Sequence, residues 1–272
     1  MEKLIVTIAP TGNVPTREKH PQAPLTVDEI VADIKNCVEL GASIAHIHVR
    51  NEDLKPTSDR KVFKKVLKRI DDEKIDVIKQ LSTGARGGEN TFEWRGQMLD
   101  LDCHMASLAT GSSNFAKMVN ANSFELIEKL AVKMNDNGIK PELEIFDYSM
   151  MTNALWLEKK GVLKGPLHFN LVMGVPGSMP GTIRNLSFLV DSLPPGSTWT
   201  VSGIGSAQVP MITTAILLGG HVRTGIEDCL TYKKDVPATN SMLVERIVKI
   251  AGMLDRPIAN VAEAKEILSI KK

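Results

Sequence analysis

Long apolar runs are missing from this chain of 272 residues. No stretch reaches the roughly 18 residues of a membrane-spanning helix, so the reading excludes a membrane partner. Charge of one sign is missing too: 33 basic residues meet 32 acidic ones, for a net charge of +1. Without a basic stripe nothing is set to grip a phosphate backbone, and nucleic acid drops out as a partner. Cysteine is scarce. Cys37, Cys103 and Cys229 are odd in number and lack Cys-x-x-Cys spacing, so each reads as a small buried hydrophobe in a reducing cytoplasm. The first residues, Met1-Glu2-Lys3-Leu4-Ile5-Val6-Thr7, enter a strand pattern directly and show no signal-peptide pattern. The Gly-x-Gly-x-x-Gly fingerprint is also absent after that first strand.

What is present is alternation. With 43% hydrophobic residues the chain can bury a large core, in one long barrel or in two smaller domains. Strand-like runs are expected at Leu4–Ala9, Ile44–Val49, Asp76–Ser82, His104–Thr110, Pro141–Phe146, Leu167–Met173, Trp199–Ile204 and His221–Gly225. Helix-period runs lie between them: Thr26–Leu40, Ser58–Glu73, Thr91–Leu99, Ser123–Asn137, Met150–Lys160, Thr182–Leu193, Ala207–Leu218 and Thr239–Leu254. A short extra helix, Val261–Leu268, closes the chain. In the second helix, Lys64-Lys65 and Lys68-Arg69 against Asp71-Asp72 read as a solvated face. Eight strand-helix units in this length match a TIM barrel, and no linker divides the chain, so a single domain over 1–272 is expected. A doubly wound open sheet is the runner-up.

Side chains alternate along a strand, so His46 and His48 share one face. Taking that face as inward, the matching positions are Gln80 and Ser82, Glu142 and Glu144, His168 and Asn170, and Thr200 and Ser202. The eighth strand adds His221, Arg223, Gly225 and Glu227. A barrel interior is ordinarily filled with Val, Ile and Leu. Buried charge is costly unless paired or bound to metal, so these residues imply a polar site at the carboxyl ends of the strands. His104, His168 and His221 lie near strand starts and read as hydrogen-bonded core residues.

His46 and His48 sit at the site end. Glu227 is the natural third ligand, because a closed barrel brings the eighth strand beside the first, one strand away from the second. Two His and one carboxylate leave positions open on a catalytic metal; zinc is the default, and these residue types leave iron(II) and manganese open as well. Arg223 and Asp228 flank Glu227. Asp228 could take a proton from a carbon acid, or form a structural ion pair with Arg223.

The chain resembles the β-keto acid cleavage enzymes, whose founding activity is 3-keto-5-aminohexanoate cleavage. The matching segments are Ile5–Gly12, Ala45-His46-Ile47-His48-Val49-Arg50, Leu81-Ser82-Thr83-Gly84, Met105-Ala106-Ser107-Leu108, Pro141–Asp147 and His221–Asp228. The resemblance implies a homotetramer of TIM barrels, each binding one zinc ion through His46, His48 and Glu227. It also implies a reaction of a β-keto acid with acetyl-CoA that gives acetoacetate and a new acyl-CoA. Asp228 would remove the C2 proton with support from Arg223, and the metal would hold the keto and carboxylate oxygens. Ser82, Ser107 and Glu144 or Glu142 would orient substrate, beside the first loop with Thr11 and Val14. Members that take the amino substrate carry Glu where this chain has Val14, so a neutral side chain is expected on the substrate.

Coenzyme A is expected at Gly203, Gly205 and Ser206, since barrels often bind phosphate in the loops after strands 7 and 8; a tight turn needing Gly is the plainer reading. Arg86, in the Gly84–Gly88 loop, is a second candidate for a phosphate or carboxylate. Two rival functions fit the pattern less well. An amidohydrolase-like hydrolase places His-x-His on its first strand and needs further His ligands at strand ends. A binding protein with a structural metal would have four ligands rather than three.

Overall fold

The computed structural model describes residues 2–84, 87–115 and 118–272. Eight parallel strands close into a barrel: β1 (Val6–Ile8), β2 (Ile44–Ile47), β3 (Ile78–Leu81), β4 (Met105–Ala109), β5 (Lys140–Ile145), β6 (His168–Met173), β7 (Thr198–Gly203) and β8 (His221–Thr224). Neighbours in the barrel are neighbours in sequence, and β1 pairs with both β2 and β8 to seal the seam. The helices are α1 (Val27–Glu39), α2 (Arg60–Asp72), α3 (Phe92–Arg95), α4 (Phe124–Asp136), α5 (Tyr148–Lys159), α6 (Ile183–Asp191), α7 (Gln208–Leu218), α8 (Asn240–Met253) and α9 (Val261–Ile267). The architecture is a TIM barrel.

Local chemistry starts these helices where the chain leaves each strand. Thr26, Asp59, Ser123, Asp147, Thr182 and Thr239 each accept a hydrogen bond from a backbone N–H in the following turn. At α1 the cap is reciprocal: the Glu29 carboxylate accepts from the Thr26 N–H at 3.0 Å. Outward strand residues such as Val6, Ala45, Ile47, Leu143, Phe169, Leu171, Val201 and Val222 pack into one core beneath the helices. Such burial contributes roughly 1.5–3 kcal/mol per large apolar side chain. A second cluster, Ile5, Ile44, Ile78 and Met105 with Ala264 and Leu268 of α9, closes the floor at the amino ends of the strands.

Most element ends agree with the sequence reading to within about two residues. Three differences have local causes. β2 stops at Ile47 because Val49-Arg50 pairs antiparallel with Pro56-Thr57 in a separate hairpin. The third helix ends at Arg95, where Gly96 caps it, instead of continuing to Leu99. Hairpins at Ser113–Phe115 with Met118–Asn120, and Thr231–Lys233 with Val236–Pro237, are too short to produce a periodic signal. No helix among the described residues is long and apolar enough to cross a membrane.

Candidate active site

β2 delivers His46 to the barrel interior, and His48 follows one residue beyond its end. Glu227 comes from the loop after β8. That loop begins at Gly225, with φ +145°, where a Cβ atom would sit 2.0 Å from the Ala9 carbonyl oxygen. Only glycine permits this approach, and the turn returns the chain over the barrel mouth. His48 Nε2 lies 3.3 Å and His46 Nε2 3.8 Å from Glu227 Oε1. One ligand atom from each of the three residues falls within 4.8 Å of the others. Donors held about 2.0–2.1 Å from a tetrahedral zinc ion stand about 3.3 Å apart, so the set fits a zinc-sized divalent ion. Glu227 Oε2 is buried and has no partner among the described residues, which suits a group awaiting a cation.

Arg223 organises the anionic side of the site. Its Nε donates to Asp228 Oδ2 at 3.0 Å, and its Nη2 donates to Asp228 Oδ1 at 2.9 Å and to Glu227 Oε1 at 2.7 Å. Nη1 lies 3.7 Å from Glu144 Oε1. Such bidentate, charge-assisted pairing fixes direction as well as charge. Burial raises the Asp228 carboxyl to about 6, with Arg223 opposing and Glu227 adding to the rise. Burial works against Glu227 too, but Arg223, His48 and His46 outweigh it and hold Glu227 well below the usual carboxylate range. Burial, then Arg223, lowers His46 to about 4, which keeps it neutral and able to ligate.

Both strand 5 glutamates point inward, at different depths. Glu144 is raised to about 8 by burial and by Glu142, Glu227 and Asp228, against the pull of Arg223. Glu142 is fully enclosed below it. Its Oε1 accepts from Asn170 Nδ2 at 3.1 Å, and its Oε2 stands 3.6 Å from His168 Nε2. Burial alone would raise Glu142; His168, His46 and Arg223 hold it at about 2. His168 and Asn170 therefore support the site from beneath, a part that the sequence reading did not give them. His104 and His221 each accept a backbone N–H on a neighbouring strand, from Lys79 and Ile5, as core histidines do.

The Ser82 hydroxyl accepts from Gly84 N–H at 3.2 Å, and the Ser107 hydroxyl lies 3.4 Å from Thr83 N. Thr11 is buried, with its hydroxyl donated to the Pro24 carbonyl at 2.9 Å, so it anchors the first loop. Gly12, at φ +59°, lets that loop touch Glu227: a Cβ there would lie 2.4 Å from Glu227 Cγ. Arg50 Nη2 clamps the same loop through the carbonyls of Gly12 and Pro15. Val14 between them is exposed. Gly205 N–H donates to the Asp228 carbonyl at 2.8 Å, which ties the turn after β7 to the site. Beyond it, Ile204 and Ser206 line a cleft of about 500 Å³ with Gly174, Ser178 and Thr182. Ala85 and Arg86 lie outside the described residues.

Known proteins resemble this chain along its whole length. A 3-keto-5-aminohexanoate cleavage enzyme from Acetoanaerobium sticklandii is 44% identical over 100% of both chains, and one from Fusobacterium nucleatum is 42% identical over 100% of both. A 3-oxoadipate:acetyl-CoA acetyltransferase from Cupriavidus necator is 40% identical over 98% of this chain and 94% of its own. Among solved structures, apo ObcA superposes with a TM-score of 0.78 at 18% identity, covering 93% of this chain and 66% of that one. At that identity the likeness speaks for the barrel alone. The family model for the beta-keto acid cleavage enzyme matches residues 3–270. The chain belongs to the β-keto acid cleavage enzyme family.

Proposed function

We propose that this chain is a metal-dependent β-keto acid cleavage enzyme that transfers the acyl part of its substrate to coenzyme A. The observation that carries the reading is Arg223 holding Asp228 and Glu227 beside two imidazoles. His46, His48 and Glu227 would hold one zinc ion per subunit. When bound, that ion supplies Lewis-acid polarisation of the keto oxygen. Asp228, aimed by Arg223, takes a proton from C2 of the keto acid. The C2 carbanion attacks the thioester carbonyl of acetyl-CoA and expels CoA thiolate. The thiolate then attacks the original keto carbon, and the C2–C3 bond breaks. Acetoacetate leaves after regaining a proton, and the rest of the substrate departs as a new acyl-CoA. Ser82, Ser107 and Glu144 orient the keto acid, with Glu142 below them.

The relatives' names support acetyl-CoA as co-substrate. We propose that it enters along the cleft lined by Ser206, beside the turn that carries Gly203 and Gly205. Val14 offers no anion for an ammonium group, so the preferred keto acid has a neutral side chain, although two relatives are named for the amino substrate. The single-domain chain would work as a homotetramer in the cytoplasm. An acyl-CoA assay with and without acetyl-CoA, over a panel of β-keto acids, tests this. Acetoacetate and acyl-CoA should form in equal amounts only with acetyl-CoA present. Turnover independent of the thioester would overturn the reading.

A further inference from the structure

One polar residue of the barrel interior has no part in the steps above, yet it touches a metal ligand. Gln80 on β3 is fully buried. The barrel register sets His46, Gln80 and Met105 side by side on three consecutive strands. Gln80 Oε1 lies 2.6 Å from His46 Nδ1, and its Nε2 lies 3.9 Å from Met105 Sδ.

We infer that Gln80 is a positioning residue that fixes the tautomer and ring orientation of His46 for metal capture. A thioether sulfur has no proton to give, so Met105 keeps the amide nitrogen on its own side. Reversing the amide would set its oxygen against the sulfur. The carboxamide oxygen therefore faces the imidazole, and it can only accept. His46 must carry its proton on Nδ1, which leaves the Nε2 lone pair facing Glu227 and His48. The ring is aimed before any ion arrives. A hydrogen bond to the far nitrogen of a ligating imidazole typically accounts for 10–100-fold in metal affinity.

The inference rests on the metal site proposed above, and its test separates the two. Zinc affinity is measured by chelator competition for the wild-type chain, Gln80→Met and Gln80→Glu, and 15N NMR of the apo wild type reads the His46 tautomer. Gln80→Met, which removes the acceptor, should weaken zinc binding 10–100-fold. Gln80→Glu, which restores an acceptor oxygen, should recover wild-type affinity or exceed it. Apo His46 should be protonated on Nδ1, a result that needs no variant and stands even where Gln80→Met fails to fold. Wild-type affinity in Gln80→Met, or a proton on Nε2 in the apo chain, overturns the assignment of Gln80 alone. A wild-type chain that binds no zinc overturns the metal site and this assignment with it.

Discussion

The dry floor of the barrel and the wet half formed by β5 to β8 are built from opposite materials. β1 to β4 send Ile5, Ile44, Ile78 and Met105 to the floor, where α9 closes over them with Ala264 and Leu268. β5 to β8 send Glu142, His168, Asn170, Thr200 and Ser202 to the interior. There Ser202 donates to Asn170 Oδ1 at 2.8 Å, Asn170 donates to Glu142, and Thr200 lies 3.3 Å from His168. The dry floor needs only volume, and α9 supplies a plug; above it the same four strands carry buried His46, Gln80 and Ser107. The wet half needs partners, and each polar side chain has one on the next strand. Arg223 lies above this wet half with three carboxylates around it, on Asp228, Glu227 and Glu144. A polar foundation keeps buried charge at a fixed place, which apolar packing would not do.

Breaking the metal corner should give the largest effect. His46→Ala removes a ligand, so bound zinc and turnover should both vanish while the fold survives, by metal analysis and circular dichroism. Next comes the wet foundation. Glu142→Leu removes the carboxylate that faces His168 and Asn170 and should cost about 3–5 kcal/mol in urea unfolding. Adding His168→Leu should recover part of that loss, because an apolar pair no longer needs the missing charge. The dry floor should behave otherwise: Ile44→Ala should cost about 2–5 kcal/mol, with no second substitution at a polar site repairing it.

A smaller effect is expected at the rim. Val14→Glu should raise the preference for an aminated keto acid, by the roughly 1.5–3 kcal/mol of a charge-assisted hydrogen bond. Ratios of kcat/KM between amino and neutral substrates would measure it. The smallest effect lies outside the barrel, at the seam of α1 and α8. Burial raises the Asp33 carboxyl to about 6, against the hydrogen bond from neutral Asn240. The folded chain thus holds this proton more tightly than the unfolded one. Its contribution is fully present below about pH 4 and is lost as pH rises through about 6. Asp33→Asn should stabilise the protein at pH 7 by about 1–2 kcal/mol and flatten the slope between those values.

Much of this was legible in the sequence because it is carried by short spacings. His46-x-His48 and Arg223-x-x-x-Glu227-Asp228 are local patterns, and strand alternation assigns their faces. Strand order then brings Glu227 to the histidines. The role of Gln80 was not legible, since it depends on lateral register between β2, β3 and β4, which no single segment encodes. Which of Glu142 and Glu144 meets Arg223 was hidden for the same reason: both share the inward parity, and the stagger between strands decides the pairing. Thr11 shows the converse. Its place in the first loop follows from chain order, but its hydroxyl is donated to the Pro24 carbonyl, a neighbour the sequence does not announce.

In the proposed reaction Asp228 performs the proton transfer, and the metal corner stands apart from it. Asp228→Asn tests this most directly, with zinc per subunit and acetyl-CoA-dependent acyl-CoA formation measured on the same preparation. Zinc should stay at the wild-type level and turnover should fall by about 10²–10⁴-fold, the usual loss for a general base. Turnover near the wild-type rate, with zinc in place, would contradict it.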